Sequence, residues 1–385
     1  MSSLIRRAPR AIGSLIALLF TTLGRIVANT WFWVEAWLLD TKKSLYGLAV
    51  TRILIGLTGA GLLATNYSSR LYTFGSGSAW NGELAEPVSD FPKIWLFSWF
   101  HQVAGNDALF TLLYIVLFAL AIAMMLGWRL KIVLPVYFVL WISFIEMNDA
   151  VGDQGDNMYR IVLLLMLFAD PAARWSLDAR RRAKKDFPTI PPREISNLLH
   201  NLVLVALTAQ VIFVYASGGL FKAGGKPWQD GSAVYTPLMT ERFGTWPILS
   251  ELVTAWGPAV AAISWGSIIL QIAFPFMLLT RPTRIVALLG IMSFHIGIGV
   301  LMGLPWFSLA MIGIDFIFIR DASWMRASAL VRGAFLDDEA APEKQAKQAA
   351  EADDITASAP KPRPTDGAPS KKKPAKARVP VRSAK

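Results

Sequence analysis

SLYGLAVTRILIGLTGAGLLATN, from Ser44 to Asn66, is an apolar run whose single charge is Arg52. A hydrocarbon core about 30 Å thick is crossed by roughly 20 apolar residues in a helix, so this stretch reads as a transmembrane span. Seven further runs reach or approach that length: Asp107 to Trp128, Lys131 to Met147, Asn157 to Ala169, Ser196 to Ser217, Val253 to Leu279, Ile285 to Leu304 and Trp306 to Ile319. The fourth and eighth of the whole set are short and read as tilted or partly buried. The expected fold is all-α, a polytopic integral membrane helical bundle of about eight transmembrane helices.

Composition agrees with that reading. Of 385 residues, 54% are hydrophobic and 17% charged, against about 25% charged in a soluble domain. The mean hydropathy is +0.44. This apolar content excludes intrinsic disorder for most of the chain. Zero cysteines exclude disulfides and Cys-ligated metals, and three histidines speak against an imidazole-rich metal site. The net charge of +11 then needs a location rather than an acidic partner.

Most of it has one. The stretch from Lys361 to Lys385 carries nine Lys and Arg against Asp366 alone. The loop after the fourth span holds Arg174, Arg180, Arg181, Arg182, Lys184, Lys185 and Arg193. Cations concentrate in cytoplasmic loops, so that loop is expected inside. Counting alternately, Lys42 and Lys43, Arg129 and Lys131, and Arg281 and Arg284 fall on the same side. The expected protein is a multi-pass cell-membrane protein with both termini cytoplasmic.

Three parts follow from this: residues 1–43, a cytoplasmic N-terminal segment with an interfacial helix; 44–320, the transmembrane domain; and 321–385, a disordered basic cytoplasmic tail. Ala11 to Leu39 reads as an amphipathic helix lying in the inner interface, with Trp31, Phe32, Trp33 and Trp37 at headgroup depth. A ninth span is the rival reading. The tail is rich in Ala, Lys and Pro and cannot form a core. It either attaches to anionic lipid or simply solubilises the inner side. With no fold behind it, it points to no specific nucleic acid.

Candidate chemistry gathers on the opposite side. Glu146, Asp149, Asp153 and Asp156 stand within eleven residues, beside Asn148 and Asn157. They suggest a cation or proton site, yet the spacing meets no EF-hand pattern, and Asp156 before a helix is equally an N-cap. No metal is expected. Tyr215 to Trp228, YASGGLFKAGGKPW, leaves the fifth span through Gly218-Gly219 and Gly224-Gly225. Lys222 there, flanked by Leu220 and Phe221, could be desolvated as a general-base lysine requires, or could snorkel to lipid phosphates. His295 lies inside the seventh span, where an ionisable residue is costly. It is either functional or a neutral side chain bonded to a neighbouring helix. Arg52 and Arg160 could pair with the loop carboxylates or snorkel. Walker A, HExxH, GxSxG and dinucleotide-binding glycine motifs are absent, and no inverted repeat supports a transporter.

Four segments in order resemble one family. MMLGWR (Met124 to Arg129), ADPAARWSLD (Ala169 to Asp178), YASGGLFKAGGKPWQDGSA and SFHIGIGVLMGLPWFS look like the membrane domain of vitamin K-dependent gamma-carboxylases, whose bacterial relatives are called HTTM, for horizontally transferred transmembrane domain. The resemblance covers roughly residues 44 to 320. It implies that Lys222 stands at the family's catalytic base, with Gly219 and Trp228 fitting the same pattern and His295 at the Phe-His position. It also implies a reduced vitamin K or menaquinol as cofactor, oxidised by oxygen while a glutamate is carboxylated. Catalytic residues are therefore expected at Lys222 and His295, and a ligand pocket at Asp156, Asn157, Arg160, Gly219 and Trp228. Two departures stand against carrying over the whole reaction. Gly155 occupies the position of a family histidine, and the animal enzymes' large extramembrane region has no counterpart here. The sequence therefore predicts an outward-facing pocket for a lipid-soluble quinol, with carboxylase-like or quinol-linked chemistry. The alternative is a non-enzymatic envelope scaffold or partner of a secreted or membrane protein.

Overall fold

A computed structural model describes residues 2–77, 90–148, 151–184 and 192–334, with side chains from residue 18 onward. Asp149, Lys185, Asp186 and the basic stretch Lys361 to Lys385 lie outside the described residues. Contacts divide the chain into two units, Met1–Met325 and Arg326–Lys385, and every interaction described below is within the first.

The described residues form helices and no strand. The long ones are α1 (Ser2–Leu39), α2 (Leu45–Thr65), α3 (Asp107–Leu126), α4 (Leu130–Ile145), α5 (Gln154–Met166), α6 (Arg193–Ala223), α7 (Gly257–Met277), α8 (Arg281–Leu301) and α9 (Pro305–Asp315). Each of the eight apolar runs predicted from sequence falls on one helix from α2 to α9. Five of these, α2, α3, α6, α7 and α8, are long and apolar enough to cross a membrane. α4, α5 and α9 are shorter.

α2 is the centre. Two-thirds of its apolar window (67%) is buried, against 22–39% for the other four long apolar helices. It carries Gly47, Gly56, Gly59 and Gly61, and small residues let helix backbones approach where lipid supplies no hydrophobic drive. A Cβ at Gly56 would stand 2.8 Å from Met125 Cα of α3. A Cβ at Gly59 would collide with the hydroxyls of Tyr137 and Tyr159, and one at Gly61 with the Trp306 ring. Those hydroxyls bond each other at 2.8 Å, and Tyr159 Oη donates to the Ile55 carbonyl of α2 at 2.8 Å.

One end of the bundle is closed by side chains on backbone groups. α3 ends at Gly127, whose φ of +64° is the left-handed conformation glycine adopts freely. A side chain there would strike the Arg52 guanidinium and Ser176. Gly127 O accepts from Asp178 N at 3.0 Å. The Asp178 carboxylate in turn accepts from Arg129 N at 2.9 Å and Leu130 N at 2.8 Å, satisfying first-turn donors of α4. Arg52, fully buried, donates from Nη2 to Trp175 O at 2.7 Å. It pairs with neither Glu146 nor Asp156. Asp321 repeats the device, accepting from Leu45 N and Tyr46 N at the start of α2.

α1 is one unbroken helix from Ser2, so it begins well before the expected Ala11. Leu18, Phe20, Leu23, Val27, Trp31 and Phe32 are all exposed. Its C-terminal end is held by α6: Asn201 Nδ2 donates to the carbonyls of Trp37, Leu38 and Thr41, and Asn197 Nδ2 to those of Leu39 and Asp40. Beside it, Lys42 Nζ lies 3.1 Å from Asp170 Oδ2 and Arg182 Nη2 lies 3.6 Å from Asp170 Oδ1.

Replacing Asp178 by Ala orphans two backbone donors, which costs about 1–3 kcal/mol. The Asp178→Ala protein should melt several degrees lower in detergent, and an unchanged melting temperature would refute the capping role. Asp170 provides a pH test. Burial works to raise its carboxyl, but Lys42 and Arg182, with the Lys42 hydrogen bond, outweigh this and hold it below the ordinary carboxylate range. A depressed folded value adds stability that is present above the unfolded value, about 3.9, and lost as pH falls through the folded one. The melting difference between wild type and Asp170→Asn should therefore be present at pH 6 and shrink below about pH 4.

Candidate functional site

At the other end of the bundle, α6 places Tyr215, Gly219 and Lys222 at spacings of four and three, on one helical face. Gly219 is the key to what Lys222 meets. A Cβ there would lie 2.8 Å from Ile272 Cγ1 and 3.1 Å from Gln271 Cβ, so its bare surface admits α7. Gln271 then reaches across, and its Oε1 accepts from Lys222 Nζ at 2.7 Å. The ammonium also sits 5.2 Å from the ring centroids of both Trp228 and Phe294, within cation–π range. Trp228 arrives on the short helix Lys226–Gln229, after the turn at Gly224-Gly225. Among the described residues Lys222 forms no ion pair. Its sequence neighbours Leu220 and Phe221, turned away from the Gly219 face, are 62% and 86% exposed.

About two turns before Lys222, Tyr215 joins two ionisable residues inside the bundle. Its hydroxyl donates to Asp315 Oδ2 at 2.9 Å and lies 3.1 Å from His295 Nε2. With the tyrosine proton given to the carboxylate, its oxygen accepts, which assigns the His295 proton to Nε2. His295 Nδ1 and Asp315 Oδ1 are buried without partners among the described residues. The His295 ring is boxed by Phe294 at 5.2 Å and Phe307 at 5.8 Å.

The expected pocket residues fall into two neighbourhoods. Lys222, Gly219, Trp228 and His295 gather where α6, α7 and α8 meet. Asp156, Asn157 and Arg160 belong to the start of α5. There Asp153, rather than Asp156, is the N-cap: its Oδ1 accepts from Gly155 N and Asp156 N, while Asp156 Oδ2 accepts from Asp153 N. This capping box places the cap one turn earlier than the sequence reading allowed. Arg160 is tied to Glu146 at 2.7 Å and to Asn157 Oδ1 at 3.1 Å. No group of three or more His, Asp or Glu gathers to hold a metal among the described residues.

Three contributors escaped the sequence reading. Asp315 carried a signal, a lone acid in the apolar run Trp306 to Ile319, where an ionisable residue is functional by default. Gln271 and Tyr215 carried none, because their roles depend on contacts between helices distant in sequence.

With this geometry in hand, comparison places the protein. An HTTM domain model matches residues 42–324. The chain belongs to the HTTM domain family and is a multi-pass membrane protein, in keeping with the resemblance to the gamma-carboxylase membrane domain. It is similar to the Bacillus subtilis (strain 168) protein described as "Uncharacterized protein YitO", with 25% identity over 288 residues, covering 72% of this chain and 85% of the relative. No solved structure matches.

Tyr215→Phe removes the one group bonded to both His295 and Asp315. Leaving two buried polar partners unpaired costs about 1–3 kcal/mol. The variant should lose several degrees in melting temperature, whereas Ser217→Ala, at an exposed position on the same helix, should not.

Proposed function

We propose that this protein binds a lipid-soluble, quinol-type ligand at Lys222, in an eight-span bundle with both termini cytoplasmic and the Lys222 end facing outward. The observation that carries the reading is the lysine's setting. Its amine is held between two aromatic rings, its hydrogen-bond acceptor is a neutral amide, and it adjoins the exposed Leu220 and Phe221. A flat apolar ring entering from lipid would meet Trp228 and Phe294 first. A bound quinol supplies ring hydroxyls and their electrons. Lys222 Nζ is the group placed to hold or take a proton from such a hydroxyl, and Gln271 Oε1 fixes the direction of the amine. Tyr215, His295 and Asp315 form a buried polar chain about two turns below Lys222 on α6, where it keeps the helices in register. Gly155, with Phe307 packed against it, stands where the family histidine would be. The reading therefore stops at quinol binding and proton transfer at Lys222. The basic inner segments would meet anionic lipid, and a secreted or membrane protein would supply any larger substrate.

The test is the lipid that co-purifies. Wild-type protein should retain quinone detectable in an organic extract by its ultraviolet spectrum. Lys222→Met should retain at least tenfold less, and Gln271→Leu about threefold less. Equal retention by Lys222→Met, or no quinone in the wild type, would end this reading.

A further inference from the structure

Phe307, which packs on His295, also lines a separate cavity of about 150 Å³ between α2, α4, α5 and α9. Neither Lys222, Gln271 nor His295 lines it. Its exposed lining residues are Val151, Asp153 and Pro305, with Asp156 half-buried beside them. Trp141, Tyr159, Trp306 and Phe307 wall it. Thr58 lies at its inner part, seven residues before the end of α2 at Thr65, or about 10 Å along the helix axis.

Two observations point to an occupant. First, Thr58 Oγ1 and Trp141 Nε1 are buried, with residue exposures of 3% and 0%, and neither has a partner among the described residues. Buried polar groups are normally satisfied, so an indole N–H without an acceptor calls for an oxygen. The Tyr159 hydroxyl cannot serve, being engaged with Tyr137 and Ile55. Second, the lining holds two carboxylates and no Lys or Arg. Each carboxylate spends one oxygen on the capping box, and Arg160, ion-paired with Glu146, attracts the Asp156 carboxylate from outside the lining. A cleft of one sign with low-dielectric walls concentrates the opposite charge, and aromatic faces favour the same sign.

We infer that this cavity binds a compact organic ammonium compound bearing an oxygen acceptor, with its nitrogen at Asp153 and Asp156 and its oxygen at Trp141 and Thr58. A cavity near this volume holds one benzene-sized molecule, so about six to eight non-hydrogen atoms enter. Free amino alcohols have this chemistry; in an aminophospholipid the same oxygen carries the phosphate and the lipid body, which the inner end of a cavity this small does not admit. A neutral ring brings no charge to the two carboxylates, and an anion is repelled by them. The site is independent of the Lys222 reading.

The experiment uses the full chain in phosphatidylglycerol nanodiscs, titrated with ethanolamine and followed by ligand-observed NMR, with acetate and hydroquinone as comparison probes. Ethanolamine should saturate in the millimolar range, as expected of so small a ligand. Asp156→Asn should weaken it at least tenfold and Trp141→Phe, which keeps the ring and loses the N–H, about fivefold. Nanodiscs of phosphatidylethanolamine should leave this saturation intact, and loss of the free ethanolamine signal there, by competition from the lipid headgroup, would overturn the placement of the oxygen at the inner end. The proposal is overturned if wild type shows no saturable ethanolamine binding in phosphatidylglycerol, or if Trp141→Phe, folded by its melting curve, binds as wild type does. Saturable hydroquinone binding in place of ethanolamine overturns it equally, as does a high-resolution map with only water in the cavity after soaking with the amine.

Discussion

Inside a bilayer no water is present to satisfy a stray backbone group, and the whole bundle depends on how its helix ends meet that demand. Asp178 shows the solution. One carboxylate serves the first N–H groups of α4, while the backbone of the same residue donates to the last glycine of the preceding helix. The two sequence segments most like the family, Met124 to Arg129 and Ala169 to Asp178, are thus the two halves of one clasp. Arg52 enters beneath it from α2 and bonds Trp175, which couples the clasp to the central helix. Left-handed backbone at Gly127, Arg129 and Trp175 occurs within this one junction. Strained conformations persist where surrounding contacts over-determine them, and here those contacts come from three separate segments.

At the opposite end, bonds between side chains of different segments stand beside the caps. Lys222 with Gln271, Tyr215 with Asp315 and His295, and Arg160 with Glu146 are all pairs between side chains. Spare bonding capacity collects here too, on His295, Asp315, Thr58 and Trp141. Both ends carry caps, and Arg52 Nε and Nη1 beneath the Asp178 clasp are likewise buried without partners among the described residues.

How much of this could be read beforehand follows from the range of each interaction. The helices were legible because apolar runs of about 20 residues are a local property. Lys222 was legible through its glycine-flanked segment, and the pairing of Arg160 with Glu146 was among the options that nearness in sequence left open. Gln271 was not, because nothing in IILQIAF announces that Gly219, fifty-two residues earlier, will let it approach. The cap at Asp153 was missed for a finer reason. Asp153 and Asp156 satisfy each other reciprocally, and composition alone does not say which of the two stands outside the helix. Asp315 could have been found by asking why an acid sits among Ile, Gly and Phe.

The length of α1 has a consequence of its own. Thirty-eight residues at 1.5 Å each make a rod of about 57 Å, longer than the 40–45 Å of a bilayer with its headgroups. If it stands upright, part of it projects into water. If it lies flat, it reaches further sideways than two neighbouring helices are wide. Among the described residues, a short row of amide bonds from Asn197 and Asn201 holds its C-terminal extremity to the bundle. A load carried along this rod therefore acts on the same carbonyls that lead into α2.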